Sequence, residues 1–187
     1  MKLTARQANC FASGLFYLQD FQGRVLDLAG SVNPVITYTR NSPNSANQQA
    51  CNLTTFTDNW LTQSTFSGSG RSEATLWQWT IGGDAGGGAE FSILANAAAP
   101  GMAAFYDVAT AGLGAMYQQV SMVDPSTVNF GIAANCVNET SGSFFLSFEG
   151  NGYVLTSWAA QEGDTAAPVT LESYTGRAEQ VWTSIPA

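Results

Sequence analysis

With 187 residues, six Lys and Arg against 14 Asp and Glu, and a net charge of −8, the chain is sized for one domain and repels the phosphate backbone of nucleic acids and anionic membrane surfaces alike. It contains no histidine, which removes Ser–His, Cys–His and histidine–metal chemistry together. No run of about 18 apolar residues is present, so no membrane insertion is expected, and the opening MKLTARQANC lacks the apolar centre of a secretory signal.

Strand signals dominate the chain. In order they are GLFYLQDF (14–21), RVLDLAG (24–30), PVITYT (34–39), TLWQWTI (75–81), EFSILA (90–95), FFLSFEG (144–150), YVLTSW (153–158), PVTLESY (168–174) and QVWTSI (180–185). Each is short, rich in aromatic and β-branched residues, and bounded by Gly, Asn, Pro or Ser. The best helical candidate, GLGAMYQQV (112–120), is short and broken by glycine, so an irregular or one-turn segment is expected there. The class is all-β. GGDAGGGAE (82–90) reads as a flexible turn: no Lys and no helix follow it, as a phosphate cradle requires. The stretch from Val123 to Gly142 reads as a loop insertion.

Two segments repeat. FYLQDFQGRVLDLAG from Phe16 runs parallel to FFLSFEGNGYVLTSWA from Phe144, each an aromatic strand, a turn and a V-L-x strand. The match continues through Pro34-Val35-Ile36-Thr37 and Pro168-Val169-Thr170-Leu171, then through Gln48 and Gln180. A fainter middle copy uses Phe91 to Leu94, Met102 to Phe105 and Gln118. Units this small cannot each bury an apolar face, so three must close around a shared axis. A single β-trefoil domain over 1–187 is expected, with lobes at roughly 15–60, 75–124 and 143–187 behind an N-terminal extension, 1–14.

On these residues the chain resembles the ricin-B-like β-trefoil lectins, also grouped as family 13 carbohydrate-binding modules, whose lobes end in Q-x-W. Gln180-Val181-Trp182 keeps that signature, while Gln48-Gln49-Ala50 and Gln118-Gln119-Val120 keep the glutamine. The resemblance runs from about Leu15 to Pro186. It implies a sugar site in the first lobe: Asp27 accepting two vicinal hydroxyls, Tyr38 offering a ring face, Asn47 fixing a hydroxyl and Gln48 bracing the loop. Strand alternation sends Leu26 and Leu28 inward and points Asp27 out into a shallow groove. The competing assignments are an Asp27 that caps the turn at Ala29-Gly30-Ser31, a Tyr38 buried in the sheet, and an Asn47 that merely forms a turn. The middle lobe has Leu94 in place of Asp27 and Tyr117 in place of Asn47, with Phe105 matching Tyr38. The third has Thr156, Glu172 and Glu179 at the three positions.

The expected function is therefore lectin-like binding of a glycan, with a galactose-type or plant-polysaccharide sugar as ligand, no cofactor and no metal. One shallow site needs attachment to another domain, or a homodimer, to bind usefully. Glu149, Glu162, Asp164 and Glu172 crowd the last third, but loop acids on an acidic protein read as solvated charge, so no enzyme is expected. The alternative is a loop-based protease inhibitor or other secreted interaction protein on the same scaffold, a use found in fungal inhibitor families. It would work through residues 55–70, including Trp60, and 128–141. Trp77 and Trp79 read as core or barrel-cap residues.

Low Lys content and the sequons at Asn52 and Asn138 favour a secreted, N-glycosylated protein, with the cytoplasm as the alternative. In an oxidising compartment Cys10 is expected to pair with Cys51, leaving Cys136 buried and inert; otherwise all three stay reduced.

Overall fold

Aromatic and β-branched runs broken by tight glycine turns can satisfy their backbone only by pairing edge to edge, and here they close on themselves. The computed structural model describes residues 16–31, 33–41, 48–52, 79–81, 94–96, 99, 102–112, 115–124, 132–138, 140–148 and 152–186. Strands β1 (Phe16–Gln19), β2 (Val25–Leu28) and β3 (Val35–Tyr38) form one antiparallel unit. Backbone strands β4 (Gln49–Asn52), β5 (Trp79–Ile81) and β6 (Leu94–Asn96) extend the sheet from β1. Strands β7 (Ala103–Phe105) and β9 (Ser121–Val123) pair separately, and the two residues of β8 (Gln118–Gln119) lie between them in sequence.

The last third holds the longest strands: β10 (Ile132–Asn138), β11 (Ser143–Phe148), β12 (Tyr153–Ser157), β13 (Ala166–Ser173) and β14 (Trp182–Pro186). Pairings run from β1 through β2, β3, β13, β12, β11 and β14 back to β1, closing a seven-strand ring without free edges. Inside it pack Phe16, Leu18, Leu26, Leu28, Phe144, Leu146, Phe148, Leu155, Leu171 and Trp182. In β11 the alternation is clean, with Phe144, Leu146 and Phe148 buried and Ser143, Phe145 and Ser147 on the wetter face.

The repeat between the first and last thirds is structural. β2 pairs with β3 so that Val25 faces Tyr38 and Asp27 faces Ile36; β12 pairs with β13 so that Val154 faces Glu172 and Thr156 faces Thr170. Both first turns end on a glycine in the left-handed region, Gly23 at φ 81° and Gly152 at φ 70°, where a Cβ would be strained.

The middle third departs from the expected copy. Among the described residues β7 pairs with β9 and not with β6. Phe105 stacks on Tyr106 at 4.6 Å and lies 5.4 Å from Phe148, so its ring is core and unavailable to a ligand. Among the described residues the Gln118 side chain donates to the nearby Met116 carbonyl, and it is Gln119 whose amide reaches Val35 O at 2.6 Å and Val169 O at 3.0 Å, tying β3 to β13. No described residue of GLGAMYQQV is helical; the one α-turn among the described residues, α1 (Val108–Ala111), precedes it, capped by the Asp107 carboxylate.

Two further expectations are overturned. The supposed insertion at 128–141 carries β10, laddered against β11 from Ile132–Phe148 to Cys136–Phe144. Ala133, Ala134 and Asn135 are weak strand formers, and the strand exists because β11 offers it a partner. Cys136 is disulfide-bonded, not an inert thiol, and with three cysteines this removes a bridge between Cys10 and Cys51. Residues 55–70 with Trp60, the 82–90 turn, Trp77 and the side chain of Trp79 lie outside the described residues.

Candidate functional site

The first hairpin brings Asp27, Ile36 and Tyr38 to one face, because residues opposite each other across an antiparallel pair share a side. Alternation holds to that extent. The exposure expected of Asp27 does not: the residue is 5% exposed, since both faces of β2 are covered. Gln48, itself fully buried, lies against it and donates from Nε2 to Asp27 Oδ2 at 2.8 Å and to the Thr39 carbonyl at 3.2 Å, while its Oε1 accepts the Asn41 amide at 2.9 Å. Tyr38 is half-buried on this face. Asn47 lies outside the described residues.

The third lobe repeats the arrangement with one exchange. Gln180 Nε2 donates to the Ser173 carbonyl at 2.8 Å, and Oε1 accepts the Thr175 amide at 2.7 Å, as Gln48 does with Thr39 and Asn41. Where Gln48 meets a carboxylate, Gln180 meets the Thr156 hydroxyl at 3.5 Å. A neutral hydroxyl thus fills the structural role in one lobe, and a buried acid fills it in the other.

The acid carries a cost. Burial withdraws water from the Asp27 carboxylate and raises its pKa above the ordinary 3.8, a shift that hydrogen bonds from Gln48 and the Leu28 backbone reduce without cancelling. A carboxyl whose folded pKa lies above its unfolded one favours folding when protonated. Its penalty is absent below the ordinary value and grows as pH rises through the folded value. Asp27→Asn, which keeps an acceptor for Gln48, is therefore expected to raise the melting temperature at neutral pH, with the gain shrinking toward zero on acidification below 3.8. Thermal melts across that range check it; a gain independent of pH contradicts it.

Of the four acids noted in the last third, Glu149 lies outside the described residues, and Glu162 and Asp164 are exposed in the turn before β13. Glu172 is not solvated charge: it is 3% exposed, accepts the Thr170 hydroxyl at 2.7 Å on Oε1 and is paired with Arg177 through Oε2. Trp158, read from sequence only as the last residue of the strand YVLTSW, is exposed, with the Arg177 guanidinium 5.6 Å from its ring centroid. A single Trp ending a strand carries no periodic signal that would have marked it. Among the described residues no group of three or more His, Cys, Asp or Glu is placed to hold a metal ion.

A seven-strand barrel of repeated hairpins, each braced by a buried glutamine, defines an all-β fold shared with the ricin B-like lectins. The Macrolepiota procera ricin B-like lectin, solved in complex with lactose, is 16% identical over 94% of this chain and 97% of that one, with a TM-score of 0.55. The Rhizoctonia solani agglutinin is 14% identical over 95% and 97% of the two chains, with a TM-score of 0.56, and ThreeFoil, a designed 3-fold symmetric protein, is 17% identical over 92% and 99%, with a TM-score of 0.53. No protein-family model matches the chain, and no curated protein matches it by sequence.

Proposed function

We propose that this protein is a lectin-like carbohydrate-binding protein, a β-trefoil of three four-stranded lobes, with a sugar site on its first hairpin. Asp27 accepts sugar hydroxyls, Tyr38 offers its ring to the C–H face, Asn47 fixes a hydroxyl, and the buried Gln48 braces the loop behind them. The observation that carries this is the contrast between Asp27 and Thr156. The fold needs only a hydrogen-bond partner for the lobe glutamine, so a buried carboxylate kept there at a desolvation cost points to a ligand. A galactose-type sugar is the first choice, because a protein of the same fold is seen with lactose.

The reading places the chain outside the cell, supported by the Cys136 disulfide and by an exposed Asn138 at the end of β10, the glycosylation acceptor. The side chain of Asn52, the other sequon, lies outside the described residues. No described residue favours the inhibitor reading. A glycan array is the test: wild type binds galactose-terminated glycans, and Asp27→Ala weakens binding about tenfold or more, the scale of a lost hydrogen bond to a charged group. Silence of the wild type across the array ends the proposal.

A further inference from the structure

We propose that Arg40 makes the first-lobe site selective for acidic glycans, sugars that carry a carboxylate or a sulfate beside the hydroxyls taken by Asp27; the inference rests on the carbohydrate-binding reading above. The strand register puts Arg40 there. Gln19 faces Val25 and Val25 faces Tyr38, so alternation sets Tyr17, two residues before Gln19, on the face that also carries Asp27 and Tyr38. The Arg40 guanidinium lies over the Tyr17 ring, 4.3 Å from its centroid. Its backbone is held as well. The Thr39 carbonyl accepts from Gln48 at 3.2 Å and the Asn41 amide donates to Gln48 at 2.9 Å, so the peptide groups on both sides of Arg40 are tied to the glutamine that bonds Asp27.

The third lobe shows what the fold itself needs at this position. Gln180 ties the Ser173 carbonyl and the Thr175 amide, which makes Tyr174 the counterpart of Arg40, and the Tyr174 ring stacks on Phe145 at 4.3 Å where Arg40 covers Tyr17. An uncharged flat group is therefore enough to cover the ring below. The first lobe has a cation instead, in a chain with six Lys and Arg and a net charge of −8. Of the arginines among the described residues, Arg24 is paired with Asp20 and Arg177 with Glu172, while no described carboxylate lies within ion-pairing distance of the exposed Arg40. A guanidinium packed over a ring uses its face there and keeps its in-plane N–H donors for another partner, in the fork that matches a carboxylate or sulfate. The ligand this fits has two ends: hydroxyls for Asp27, which repels an anion, and an acidic group for Arg40. The overall negative charge does not override that contact, because salt screens exposed charges beyond about 8 Å under physiological conditions.

The test is isothermal titration of the full chain with lactose, sialyllactose, lactose sulfated on its galactose and digalacturonic acid, for wild type, Arg40→Gln, Arg40→Lys and Asp27→Ala, at low and high salt. At least one acidic sugar is expected to bind wild type about tenfold or more tighter than lactose, the scale of a hydrogen bond to a charged group. Arg40→Gln should erase that margin and its salt dependence and leave lactose binding unchanged, and Arg40→Lys, which keeps the charge without the planar fork, should fall between. A margin confined to sialyllactose or digalacturonic acid identifies the group as a carboxylate, and one confined to the sulfated sugar as a sulfate. If no acidic sugar binds tighter than lactose, or if Arg40→Gln weakens lactose and the acidic sugars alike, the role given to Arg40 is wrong, and the first-lobe reading stands on the loss of lactose binding in Asp27→Ala. If wild type binds none of the four and is silent on the glycan array, both fail.

Discussion

Replacing Trp182 by alanine is expected to cost about 3–5 kcal/mol, the range for a buried large aromatic. The residue is fully buried at the start of β14, opposite Phe144 of β11, and its indole Nε1 donates to the Leu155 carbonyl of β12 at 3.0 Å. Truncation therefore opens a cavity in the ring and also leaves a buried carbonyl without its donor. Against a total stability of roughly 5–15 kcal/mol this is a large fraction. For a chain of this size the melting temperature should fall by about 10 °C, and Trp182→Phe, which refills most of the volume, should fall less. Urea and thermal denaturation measure both; a change under about 1 kcal/mol for the alanine variant contradicts the account.

Asp20→Ala should be comparably damaging for an electrostatic reason. The Asp20 side chain is 1% exposed and gathers five hydrogen bonds: from Arg24 Nε at 3.0 Å, Arg24 Nη2 at 2.8 Å, the Arg24 and Gln22 backbone amides at 2.9 Å each, and the Ser157 hydroxyl at 2.8 Å. Removing it leaves the Arg24 guanidinium, 7% exposed, buried without its counter-charge, and among the described residues Nη1 of that group already lacks a hydrogen-bond partner. Breaking one side of such a pair costs about 3–5 kcal/mol, whereas replacing both sides with apolar residues is often close to neutral. The double variant Asp20→Leu, Arg24→Met is accordingly expected to recover much of the loss. If the double variant is as unstable as the single one, the penalty comes from lost turn geometry and not from the orphaned charge.

The strands that alternate or carry runs of β-branched and aromatic residues were legible without coordinates: FYLQ, VLDL, VITY, SFFLSF and the V-L-x of the third lobe all lie where their pattern places them. The equivalence of Gln48 and Gln180 was legible too, from spacing. What failed did so where a neighbour decides. Ile132–Asn138 is a strand only because β11 lies beside it, and Asp27 is covered by Gln48, a contact across 21 residues that alternation along one strand does not encode. In the middle lobe two adjacent glutamines present the same letters, and only the position of β13 selects Gln119. The indole of Trp158 is held by Thr170 and approached by Arg177, both distant in sequence.

The pairing of Phe16 with Pro186 and of Gln19 with Thr183 has a consequence for biosynthesis. While the chain is being translated, β1 waits for β14, so the barrel stays an open sheet until β14 has been made. Closure entropy for so long an intervening segment must be met before the contacts reward it, which makes the final step slow. During that interval β1 and β11 each present an unfilled edge, and a ribosome-bound intermediate stalled before β14 should be the species that chaperones bind.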